Sequence, residues 1–151
     1  MINNQKGVAF VLTLSIITLI LLFIMVLFYQ AINTSTQINT MEKHIDAKNI
    51  ASMGMDYYQY HLENMQDELQ QTLNNGGINE LLSKINQLNN ELRGKKEIDS
   101  NRYFELELPT SIPYSEGSIE IVIAYSSKGT AFAKTVEETS EITIDIKGNG
   151  E

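Results

Sequence analysis

Residues 8–29 form one apolar run that contains no charge and is interrupted only by Thr13, Ser15 and Thr18. A helix over these positions is about 33 Å long at about 1.5 Å per residue, enough to cross a hydrocarbon core of about 30 Å. The run ends in Leu27-Phe28-Tyr29-Gln30-Ala31, with bulky Tyr29 where a cleavable secretory signal needs a small residue. The segment therefore reads as a retained anchor. Lys6 is the only charge before it, and Glu42 and Lys43 are the first charges after it. Because positive charge stays on the cytoplasmic side, the expected orientation places the first seven residues inside and the rest outside.

Removing Lys6 from the 11 Lys and Arg leaves ten against 19 Asp and Glu, so the expected external part carries a formal charge of −9. Phosphate contacts need clustered cations, and this balance disfavours direct DNA binding by the monomer. Lys95-Lys96, with Arg93 and Arg102 nearby, is the one basic cluster and reads as solvated loop charge. Cysteine is absent, which removes disulfides, thiolate metal sites and thiol nucleophiles together.

After a polar stretch over residues 31–40, apolar residues recur at three- and four-residue steps. Ile38, Met41 and Ile45 lead through Ser52 to Met55, Tyr58, Leu62, Met65, Leu69 and Leu73. This spacing predicts one helical stripe continuing the apolar run, stopped by Asn74-Asn75-Gly76-Gly77. Ile78, Leu81, Leu82, Ile85, Leu88 and Leu92 predict a second, shorter amphipathic helix closing at Arg93-Gly94. The period then changes to alternation, which marks half-buried strands. Phe104, Leu106 and Leu108 alternate in the first strand; Ile119, Ile121, Ile123 and Tyr125 share a face in the next. Ser126-Ser127-Lys128-Gly129 reads as a hairpin turn into a strand over residues 130–137, and Ile142, Ile144 and Ile146 mark a last strand before the chain frays at Gly148. The predicted fold is α+β: a long N-terminal helix, transmembrane in its first half and amphipathic in its second, packed on a small antiparallel sheet of three to four strands. The helix portion expected to lie across the sheet is residues 55–73.

The residues of reactive chemistry do not converge in this layout. His44 and His61 are seventeen residues apart on the predicted helix, about 25 Å along its axis, so they do not form a metal site. Asp67-Glu68 and Glu137-Glu138 are adjacent carboxylates that point apart on a helix or a strand, whereas general acid–base pairs converge. No nucleophile-elbow, zinc-helix or phosphate-loop pattern occurs. The expectation is a chain that is not an enzyme and takes no cofactor or metal.

The junction Lys6-Gly7 followed by Val8-Ala9-Phe10-Val11-Leu12-Thr13-Leu14 resembles the processing site of type IV pilin-like precursors. The stretch Ala47-Lys48-Asn49-Ile50-Ala51-Ser52-Met53-Gly54-Met55-Asp56-Tyr57 is similar to the small-residue segment of minor pilins and pseudopilins. The resemblance implies a leader over residues 1–7, cut between Gly7 and Val8 by a prepilin peptidase, and a methylated new N-terminus. It implies a transmembrane helix over residues 8–30, an extracytoplasmic helical extension over 31–75, and a helical excursion and sheet over 78–151. Filament packing would fall to the helix, with Leu12 and the small polar notches Thr13, Ser15 and Thr18 on its surface. Ala51, Ser52 and Gly54 offer a shallow helix face for a neighbouring subunit or for packing inside this one.

One residue departs from the pattern of major pilins, which carry Glu at the fifth position after the cut; here it is Leu12. Subunits lacking that Glu resemble minor components: the K-type pseudopilins of type II secretion, the X-type minor pilins, and the last pseudopilin of the Gram-positive competence operon. The short leader, modest length, lack of cysteine and Gly129-Thr130-Ala131-Phe132-Ala133 segment resemble the competence group most. The implied partners are the peptidase, other major and minor pseudopilins, the membrane and, indirectly, an assembly platform and traffic ATPase. The competing readings are a membrane-anchored adaptor whose external helix dimerises, and an exported enzyme held by an uncleaved signal. Neighbouring genes for a traffic ATPase and a platform protein separate the pilin-like reading from both. Mass spectrometry of the membrane-extracted protein should find a chain starting at N-methylated Val8; intact Met1 in cells with an active peptidase would remove the processing assignment.

Overall fold

The structure is a computed structural model that describes residues 3–115 and 120–145, with side chains from Gly7 onward. It is an α+β fold of two helices, α1 (Asn3–Asn64) and α2 (Gln66–Leu92), and four strands, β1 (Gly94–Asp99), β2 (Arg102–Glu107), β3 (Glu120–Ala131) and β4 (Lys134–Asp145). The strands form one antiparallel meander in chain order, and the part of the long N-terminal helix from Ala47 onward packs on it. The backbone divides into two compact units, Met1–Glu42 and Lys43–Glu151.

The first unit is helical from Asn3 and leaves its apolar side chains exposed, Phe23 and Met25 among them. α1 is the one helix among the described residues long and apolar enough to cross a membrane.

In the second unit the helical stretch is interrupted at two places. At Met65 the N–H reaches both His61 O (3.3 Å) and Leu62 O (3.2 Å), which tightens a single turn between α1 and α2. At Gly77 the backbone leaves the helical region altogether (φ 76°, ψ −172°), a conformation open to glycine, and α2 continues beyond it as a second helix. The predicted stop over residues 74–77 therefore falls at Gly77, whereas the break at Met65 has no glycine or proline to announce it. α2 ends where the Arg93 N–H bonds Asn89 O, and the chain turns directly into β1 through Gly94.

β1 is absent from the sequence reading because Lys95-Lys96-Glu97 carries no apolar alternation. It is an edge strand, mostly exposed, so no face had to be apolar. A larger correction concerns Ser126-Ser127-Lys128-Gly129, predicted as a turn. β3 runs straight through it, and the reversal falls at Phe132-Ala133, both at positive φ (48° and 65°). Neither residue is a usual occupant of a two-residue hairpin, and each costs about 1–2 kcal/mol there. The twelve residue pairs joining β3 to β4 hold the turn in place. Strands predicted over residues 130–137 and 142–146 are consequently one strand, β4, preceded by the end of β3. Ile119 and the turn at Glu116-Gly117, like Ile146 and the fraying end, lie outside the described residues.

The core sits between α1, α2 and one face of the sheet. Ala47, Ile50, Ala51, Tyr58 and Leu62 of α1 are buried with Leu69, Leu81, Ile85, Leu88 and Leu92 of α2, and with Phe104, Leu106, Ile121, Ile123 and Tyr125 of the sheet. Ile38, Met41 and Ile45, placed by periodicity on the same stripe, are instead exposed at 61%, 65% and 48%. Small residues decide the buried face. A Cβ on Gly129 would overlap Ala47 O and Ala51 N and lie 2.8 Å from Ala51 Cα. A Cβ on Gly54 would overlap Ser127 Oγ and approach Phe104 Cδ2 to 2.9 Å. Helix backbone thus meets strand backbone at Gly129, and the small residues read as a turn are the notch that admits α1. In denaturation of the full chain in detergent, Gly129→Ala should lower stability by about 1–3 kcal/mol, the cost of overpacking. Gly76→Ala, where only the flexible Glu80 side chain must move, should be neutral or stabilising by up to about 1 kcal/mol.

Candidate functional site

The residues singled out for processing and helix packing lie on α1. Gly7 has open space around it, and Val8 and Leu12 are exposed at 64% and 58%; the Lys6 side chain lies outside the described set. Gly7, Val8, Leu12 and Ser15 border one shallow apolar groove along the helix surface. Thr13 Oγ donates to Phe10 O and Thr18 Oγ to Leu14 O, both at 2.8 Å. Returning these hydroxyls to the helix's own carbonyls leaves a surface compatible with hydrocarbon.

The small-residue face separates into two parts. Ala51 and Gly54 are buried against β2 and β3 inside the second unit, and Ser52 is exposed. Other large apolar residues of the second unit that stand exposed on α1 are Ile45, Met53 and Tyr60, the last at 62%. At 100° per residue these positions cluster on the side of the helix opposite Ala47, Gly54 and Tyr58. The helix therefore has a sheet-facing side of small residues and an outward side carrying apolar ones.

A polar junction fixes α1 to the rest of its unit. Tyr58 Oη donates to Asn89 Oδ1 at 2.7 Å, and both residues are fully buried. Asn89 Nδ2 donates to Pro109 O at 3.2 Å, and Arg93 Nε and Nη2 donate to Leu108 O at 3.0 and 2.6 Å. α1, α2, β3 and the segment that follows β2 meet here, since the Tyr58 and Tyr125 rings also pack at 4.7 Å. Burial, then the neighbouring Tyr125, pushes the Tyr58 hydroxyl well above the ordinary tyrosine range. Sequence reasoning missed Asn89 because a single Asn beside Leu88 looks like the polar flank of an amphipathic helix. Its signal was indirect: a phenol placed on the apolar stripe needs a buried partner.

The polar side of the sheet centres on Lys128, which pairs with Glu107 and lies 3.9 Å from Glu137; Ser126 Oγ donates to Glu137 Oε1 at 3.0 Å. The basic cluster of the sequence is largely engaged. Lys95 pairs with Glu97 at 2.8 Å and sits over the Tyr103 ring, Arg102 pairs with Asp99, and Arg93 holds Leu108 O. Asp99 is pulled below the usual carboxylate range by the Asn101 N–H and then by Arg102. His61 packs on the Tyr57 and Tyr60 rings, and His44 is exposed. Glu68 of the Asp67-Glu68 pair binds Lys84. Among the described residues, no group of three or more His, Cys, Asp or Glu is disposed to hold a metal.

No protein-family model, curated protein or solved structure matches this chain. The architecture is pilin-like. It consists of a long N-terminal helix with an apolar stretch, packed on a four-stranded antiparallel sheet.

The Tyr58–Asn89 junction has a measurable signature. Tyr58→Phe leaves Asn89 Oδ1 buried without its donor and should cost about 1–3 kcal/mol, read by urea denaturation. Because the folded state holds the Tyr58 proton more tightly than the unfolded chain, its contribution is complete below about pH 10, the unfolded tyrosine value, and is lost progressively as pH rises above it. Tyr58→Phe should remove part of that alkaline destabilisation.

Proposed function

We propose that the chain is a non-catalytic minor pseudopilin, held in the membrane by the N-terminal part of α1 and assembled from there into a type IV pilus-like filament that serves DNA uptake. The observation that carries this reading is α1 itself, whose apolar residues over 8–29 are all exposed while Ala47, Ala51 and Gly54 pack on an antiparallel sheet. Lys6, Gly7 and Val8 supply the site for a prepilin peptidase, and the second unit lies outside the cytoplasm.

Assembly in this proposal exchanges lipid for protein around the helix. Leu, Ile, Val and Phe side chains pack as well against another such helix as against acyl chains, and the notches at Thr13, Ser15 and Thr18 let backbones approach. The exposed Ile45, Met53 and Tyr60 of the second unit give neighbouring subunits an apolar strip outside the membrane. Other pseudopilins are thus the direct partners, with an assembly platform and traffic ATPase acting through them. A formal charge of −9 on the chain beyond Lys6 keeps DNA off the isolated subunit's surface. In the same proposal Leu12 places the chain among components that need not pair with a neighbour's N-terminal amine. Type II secretion uses related filaments, and co-transcription with a competence or a secretion operon separates the two.

Complementation of a deletion strain tests the proposal. Wild type should restore sheared-filament recovery and DNA uptake. Leu12→Glu should give no gain, because a carboxylate in lipid carries a penalty of up to about 2.5–3.5 kcal/mol, less near the membrane edge. A deletion strain with unaltered filaments, uptake and secretion would overturn the assembly role, and a clear gain from Leu12→Glu would overturn the minor-component assignment.

A further inference from the structure

The two edges of the sheet are built differently. β1 is six residues long, carries Lys95 and Lys96, and has a register irregularity between Glu97 and Asp99. Short length, lysines and bulges are the devices by which edge strands avoid pairing with other chains. β4 has none of these except Lys134 at its turn end. It is twelve residues long and in unbroken register with β3, from Glu120↔Asp145 to Ala131↔Lys134.

The hairpin fixes which backbone groups are free. A two-residue turn makes Ala131 and Lys134 a hydrogen-bonded pair, so even-numbered residues of β4 direct their N–H and C=O groups to β3. Odd-numbered residues 135–145 direct theirs outward. Their side chains are Thr135, Glu137, Thr139, Glu141, Thr143 and Asp145, three threonines alternating with three acids and no cation. Beneath the far half of this edge runs a groove of about 400 Å³ whose apolar lining comes from Leu62, Leu69, Leu73, Leu81, Ile142 and Ile144. Glu63, Gln66, Gln70, Thr143 and Asp145 supply the polar part of its lining.

We propose that the outer edge of β4 and this groove receive an extended strand from a partner protein, one in which apolar residues alternate with lysine or arginine. Side chains alternate across a strand, so a strand beside β4 sends every second residue into the groove and the others alongside Glu141 and Asp145, Glu137 being already engaged by Ser126 and Lys128. The leucines and isoleucines of the groove favour apolar residues, and the acid row favours cations. A second copy of this chain fits poorly on either edge. Antiparallel pairing of β4 with another β4 sets the acid row against itself. β1 is short, and its Lys95 is already paired with Glu97.

The test uses the full chain in detergent micelles and a synthetic peptide of alternating Lys and Val, with an alternating Glu and Val peptide as control. The Lys peptide should bind and slow amide exchange at Thr139, Glu141 and Thr143 by at least tenfold. Thr139→Pro removes an outward N–H without breaking the β3 ladder, so circular dichroism should be unchanged and binding lost. Glu141→Lys should weaken binding at least tenfold, and it provides the same comparison should Thr139→Pro misfold. Absence of protection at these amides, equal binding of the Glu peptide, or binding insensitive to both substitutions would overturn the proposal. So would two other results: self-association that Glu141→Lys alters, which makes a second copy the occupant, or binding only after removal of residues 146–151, which assigns the edge to the chain's own end.

Discussion

The contact on which the second unit depends is the approach of helix backbone to strand backbone at Gly129. With no side chain there, Ala47 and Ala51 settle on β3, and one turn and more further along Gly54 settles against Ser127 and Phe104. Close approach sets the rotation of α1 about its axis. With Ala47, Ala51 and Gly54 inward, Tyr58 and Leu62 follow on the same side, and Ile45, Met53 and Tyr60 must face away. Which apolar residues are core and which are available to a partner is thus decided by where the small residues lie. Dispersion favours this outcome, since a helix held farther off by larger side chains forfeits contact along its length.

The same rotation delivers Tyr58 to Asn89 and so ties α1 to α2 and to the chain at Pro109. Apolar contact alone would tolerate sliding of a smooth helix over a smooth sheet. A buried hydroxyl and amide accept few alternatives, because any shift leaves both unpaired in a low dielectric. The Gly129 contact sets the distance between the layers, and the Tyr58–Asn89 bond sets their register. Without a disulfide in the chain, these two contacts supply the specificity of the packing.

The sheet carries the asymmetry of its two faces and two edges. One face is apolar and covered by helix; the other is a mixed charged surface ordered around Lys128. β1 is blunted by its length and composition, whereas β4 keeps a long regular edge beside a groove of mixed apolar and polar lining. This α+β fold therefore offers surfaces of different chemistry: the exposed apolar side of α1 and the acidic, hydrogen-bond-rich edge of β4.

By itself the sequence determined the elements whose pattern is local. The apolar run, the amphipathic stripe through Tyr58, Leu62 and Leu69, the helix over residues 78–92 and the alternation of Phe104, Leu106, Ile121 and Ile123 all follow from side-chain period, since one face of each must leave water. The α+β class followed from their order. What only the tertiary structure decided was the meaning of the small and polar residues. Ser126-Ser127-Lys128-Gly129 has turn chemistry, but the helix that needs its notch lies some eighty residues earlier in the chain. Phe132-Ala133 has no turn chemistry and turns because the ladder on either side imposes it. β1 escaped notice because a mostly exposed edge strand need not alternate, and Asn89 because its partner belongs to another helix. Period records what a residue does with water, whereas fit and pairing depend on residues remote in sequence.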